Sequence, residues 1–139
     1  MKALLALILL FNIASVNAAE QSPFIVETHA SFKDAIAKVK QAVGGHNFHV
    51  VRERDLSVNG VKIHAIWFCN FAMLNKVIQT QKQVGYMLPF RITVVERDNK
   101  ISISANNPDM SMKHIKSGLG SICDDIATAY QAILDEASL

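Results

Sequence analysis

Cys69 and Cys123 are the only thiols in a chain of 139 residues. An even cysteine count allows one disulfide, a redox couple, or two small apolar groups buried in a core. The two are too far apart in sequence for the C-x-x-C spacing that lowers a thiol's pKa. A bond between them would require Cα atoms within about 7 Å. Cys123 falls near the start of a predicted helix, whose dipole favours thiolate. Asn70 follows Cys69, yet no base stands beside this pair, so no nucleophile is assigned.

A second constellation is Met110-Ser111-Met112-Lys113-His114. Its donors, the thioethers of Met110 and Met112 and the imidazole of His114, are soft ligands that suit Cu(I) or an axial position on haem iron. Against this, methionines beside a loop-to-helix junction commonly fill gaps in a core, and Lys113 and Lys116 repel a cation. His29, His46, His49 and His64 fall at no metal-ligand spacing. The C-x-x-C-H motif of covalent haem attachment is missing, which leaves a non-covalent haem in an apolar pocket. The sequence contains no G-x-S-x-G and no phosphate loop. Its acidic clusters, Asp124-Asp125 and Glu96-Arg97-Asp98, are explained by a helix start and a turn. No catalytic residue is assigned, and the reading leans away from an enzyme.

Strands and helices must position these groups. Residues 23–29 read as a strand, and Ser31 with Asp34 marks a helix start. Phe32, Ile36, Val39 and Val43 recur at helical spacing, and Gly44-Gly45 is expected to end the helix through a left-handed glycine. Residues 47–54 and 61–69 read as strands joined at Asn59-Gly60. In the second of these, Ile63, Ala65, Trp67 and Cys69 share one parity and His64, Ile66 and Phe68 the other. Asn70 can cap a short helix carrying Phe71, Leu74 and Ile78. Residues 88–97 and 100–105 form a predicted hairpin about Asp98-Asn99. A last helix starts at Ser121, with Asp124 as its capping-box partner, and buries Ile122, Ile126, Ala129 and Ile133. The order β-α-β-β-α-β-β-α predicts a single α+β domain, an antiparallel sheet with helices packed on one face.

The first eighteen residues have the layout of a secretory signal: Lys2, an apolar run over residues 3–13, and small residues ending at Ala18. The run is shorter than the about 20 residues a membrane span requires, and no cysteine follows it to take a lipid. Cleavage after Ala18 predicts a periplasmic or secreted domain over residues 19–139, with no membrane span. Lys2 is the only charge lost with the signal, so the mature chain stays near +1. Its bases are scattered among acids, which argues against nucleic acid as a partner.

Ile66-Trp67-Phe68-Cys69-Asn70-Phe71, the run from Val84 through Leu88-Pro89-Phe90-Arg91 to Glu96, and Asn107-Pro108 together look like a family signature. With the amphipathic helix after Ser31 and the ending Ile133-Leu134-Asp135-Glu136-Ala137, the chain resembles exported members of the domain-of-unknown-function 302 family across nearly the whole mature length. The resemblance implies an α+β fold and a homodimer, and supplies no activity. Many relatives carry a cysteine after Leu-Pro where this chain has Phe90, so a thiol or metal site using that position does not carry over.

The reading is a non-enzymatic exported module that holds a small ligand, with haem or copper as candidate cargoes. Its pocket is expected between sheet and helices or at a dimer interface, lined by Trp67, Phe68, Cys69 and Met87, with Met110, Met112 and His114 as donors. Alternatives are a thiol-redox or disulfide-dependent envelope protein using Cys69 and Cys123, and a structural protein-interaction module.

Overall fold

In a computed structural model, which describes residues 23–80, 90–111 and 121–139, the chain forms β1 (Phe24–Thr28), α1 (Phe32–Gly45), β2 (His49–Val58), β3 (Val61–Cys69), α2 (Phe71–Thr80), β4 (Phe90–Arg97), β5 (Lys100–Ala105), α3 (Pro108–Ser111) and α4 (Ile122–Ser138). The expected order is present with one addition, the single turn α3 after Asn107. There, the Asn107 side-chain oxygen accepts from the Asp109 N–H at 2.9 Å.

Local chemistry explains most boundaries. Ser31 caps α1 by accepting from the Asp34 N–H at 3.1 Å, and Asn70 caps α2 by accepting from the Met73 N–H at 2.9 Å. Two expectations are corrected. α1 ends through Asn47, at φ 62°, and not through a left-handed glycine: an asparagine tolerates that region, and the Phe48 N–H bonds back to the Val43 carbonyl at 3.0 Å. Ser121 makes no side-chain cap on α4, because its own backbone is already helical (φ −78°, ψ −3°) and turns the hydroxyl out of reach. Both predicted hairpins turn through left-handed pairs, Asn59-Gly60 and Asp98-Asn99, which match the twist of the flanking strands.

All neighbouring strands are antiparallel, in the order β1-β5-β4-β3-β2, so β1 and β2 are the edges. Register aligns Phe68 with Phe90 and Ile66 with Ile92, then Val94 with Ile103 and Ile103 with Val26. These side chains point to one face and meet α1 and α4, which lie against each other over it. From the helices come Ala35, Val39, Ala42 and Val43, and Ile126, Tyr130, Ile133 and Leu134. At one end of this core Phe48, Phe68, Phe90 and Tyr130 pack ring to ring, mostly edge-on, with centroids 5.3–6.3 Å apart. No helix among the described residues is long and apolar enough to cross a membrane.

Candidate functional site

Strand alternation divides the residues expected to line one pocket. Phe68 lies in the core at 1% exposure, while its neighbours Trp67 and Cys69 are on the opposite face of the sheet. Among the described residues, the ring cluster and the aliphatic side chains around it occupy the space between the sheet and α1 and α4. Met87, Met112 and His114 lie outside the described residues. Met110 is exposed on α3, where it lines a shallow hollow with Pro23, Asn106 and Asn107. Among the described residues, no group of three His, Cys, Asp or Glu side chains is placed to hold a metal ion. Cys69 and Cys123 are buried thiols, not a disulfide. Cys123 belongs to the core under α4, and Cys69 ends β3 on the other side of the sheet. Burial pushes the Cys69 thiol above its ordinary pKa, the reverse of what a nucleophile or redox thiol requires.

The face turned away from the helices is the more distinctive surface. Its middle is Trp67 on β3, half-buried and flanked by an arginine on each neighbouring strand: Arg52 is its register partner on β2 and Arg91 its partner on β4. The Arg52 guanidinium carbon lies 5.4 Å from the centroid of the indole ring, a cation–π contact. Two residues back along β3, Ala65 stands between Arg54 and Thr93, and beyond it Ile63 stands between Leu56 and Val95. An apolar strip, Trp67, Ala65 and Ile63, therefore runs down the central strand with arginines beside its upper part. Arg97 and Lys100, paired at the β4–β5 turn, add cations to the same face. Its strands carry one acid, Glu27, out on edge strand β1.

Ion pairing differs between the two faces. On the helix side, Lys40 bonds Glu53 at 3.0 Å and Lys62 bonds Glu96 at 2.9 Å. On the open side Arg52, Arg54, Arg91, Arg97 and Lys100 have no acidic partner among the described residues. The linear sequence hides this segregation, since Arg52-Glu53-Arg54-Asp55 alternates in sign. A strand with period two sends its arginines to one face and its acids to the other.

The acids so directed hold a residue that sequence spacing did not single out. His64, 8% exposed, places Nδ1 2.6 Å from an Asp55 carboxylate oxygen and Nε2 3.1 Å from a Glu53 oxygen. Both ring nitrogens face carboxylate oxygens. The cluster Lys40–Glu53–His64–Asp55 ties edge strand β2 to β3 and α1. Glu53 is held below the ordinary carboxylate pKa, first by the Lys40 hydrogen bond and further by His64, against an opposing effect of burial. The cross-strand register His64 with Asp55 was the available signal, but it required knowledge of the pairing.

Comparison with known proteins agrees with this architecture. The model of the family described as domain of unknown function DUF302 matches residues 24–137. A crystal structure of an uncharacterized conserved protein DUF302 from Bacillus stearothermophilus superposes with a TM-score of 0.77 at 19% sequence identity. The alignment covers 83% of this chain and 97% of that one. No curated protein matches the chain.

Proposed function

The chain belongs to the DUF302 family, a domain of unknown function, and from that premise we propose a function from the surface: a non-enzymatic binding module, working outside the inner membrane, that takes a small ligand on the open face of its sheet. One observation carries this reading. The aromatic side chain placed to meet a ligand, Trp67, lies on the sheet face turned away from α1 and α4, between Arg52 and Arg91. A planar, largely apolar ligand can lie against the half-buried Trp67 and Ile63. Haem is the first cargo to test, since its macrocycle fits a flat strip. Copper is the second cargo to test, with Met110 exposed on α3 as one of its predicted donors.

The test is an absorbance spectrum with metal analysis on protein from its native compartment, before and after haem is added. The expected result is a Soret band that saturates with haem and is lost in Trp67→Ala. A colourless protein with no Soret band on titration and no Cu(I) retention contradicts both cargoes.

The homodimer implied by the family is also proposed, with its contact at a sheet edge. The excess of cations opposes stacking two copies face to face, while β2 presents a ten-residue edge. A single monomeric species in sedimentation across the micromolar range contradicts it. The thiol-redox alternative has less support, because its two cysteines are buried on opposite faces of one sheet.

A further inference from the structure

We infer that the open sheet face recognises anions: Trp67 with Arg52, Arg54 and Arg91 forms a site for a small aromatic carboxylate. The inference rests on the open face being the binding surface and adds the chemical class of what binds there.

The first support is charge. The mature chain is near neutral, yet the fold gathers Arg52, Arg54, Arg91, Arg97 and Lys100 on one face, none with an acidic partner among the described residues. Ion pairing on the helix side shows that acids are available in the sequence and are directed elsewhere. Guanidinium groups presenting unspent donors in a planar fork match a carboxylate, which can accept two parallel hydrogen bonds.

The second is geometry. Arg52, Trp67 and Arg91 form one rung across three adjacent strands, so the two arginine backbones are about 9–10 Å apart at ordinary strand spacing. That is the width of a few fused rings. The indole contact fixes the Arg52 head group beside the rung before any ligand arrives. Below Trp67, Ala65 is buried among its neighbours, with Thr93 its register partner on β4. A ring system lies against Trp67, and its carboxylate reaches the arginines.

The occupant is small and anionic for further reasons. A second copy would bring cations against cations. Beside Trp67 the cations stand on β2 and β4; Lys100 lies farther off at the β4–β5 turn, and Ser102, Ser104, Ile25 and Glu27 occupy the described remainder of β5 and β1 on this face.

Trp67 is the chain's only tryptophan, so its emission reports on this site alone. The experiment titrates purified protein with 1-pyrenebutyrate and, separately, with 1-pyrenebutanol, which has the same ring body without the charge. Saturable quenching by the butyrate, about tenfold tighter than by the alcohol, is expected. Arg52→Gln and Arg91→Gln should each weaken butyrate binding about tenfold, leaving the alcohol and the circular dichroism unchanged. Equal affinity for both probes, or butyrate binding unaffected in both variants, overturns the anion inference and leaves the open-face reading standing. No saturable quenching by either probe overturns both. Trp67 emission that shifts with protein concentration alone gives the face to a second copy and overturns the inference.

Discussion

Cys69 and Cys123 lie on opposite faces of the same sheet: Cys69 shares its side of β3 with Trp67 and Ala65, and Cys123 is in the first turn of α4 inside the helix-covered core. Joining them would mean passing a side chain through the sheet. Intact mass after alkylation of the native protein should therefore show little label, and after unfolding two labels, whether or not a reductant was present. A mass that gains two labels only after reduction contradicts this placement.

Tyr130 ties α4 to the start of β4. Its ring packs edge-on against Phe68 and Phe90, and its hydroxyl accepts the Arg91 N–H at 3.3 Å. Tyr130→Phe keeps the rings in contact and leaves that N–H without its partner, at an expected loss of roughly 1 kcal/mol in denaturant unfolding. Phe68→Ala removes a ring the core cannot replace, at an expected loss of about 3–5 kcal/mol. Burial raises the Tyr130 pKa well above the usual tyrosine value. The unfolded chain then releases this proton at lower pH than the folded one, so stability should decline as pH rises past about 10. Tyr130→Phe should flatten that decline, and an unchanged alkaline limb would contradict the assignment.

Glu53 gives the opposite dependence. Its folded pKa is depressed, mainly by Lys40, so the unfolded state binds its proton first as acid is added. The stabilisation is complete above the ordinary carboxylate range and is lost as pH falls through the folded value. Lys40→Met should shrink this acid-side loss, read as the slope of thermal midpoint against pH between about 5 and 3. The same slope in wild type and variant would show that the pair does not act in solution.

Much of the fold was legible in the sequence because period and punctuation coincide there. Asn59-Gly60 and Asp98-Asn99 sit between strand patterns, and the spacing of Phe32, Ile36, Val39 and Val43 marks the buried face of α1. Parity along β3 also separated Trp67 and Cys69 from Phe68. What parity could not say is which side the helices cover, and the expected pocket placed all three together for that reason. The cationic face and the His64 cluster were hidden in the same way. Arg52 and Arg91 are far apart in sequence and meet Trp67 only through the pairing of β2, β3 and β4.

Trp67 and Phe68, adjacent in the chain, therefore provide the sharpest test of where the ligand sits. Haem is titrated against wild type, Trp67→Ala and Phe68→Leu, with folding checked by circular dichroism, and the Soret change is followed to saturation. Binding on the open face predicts that Trp67→Ala loses the Soret change and Phe68→Leu retains wild-type affinity. Retention in Trp67→Ala with loss in a folded Phe68→Leu would place the ligand among the helices and contradict the account.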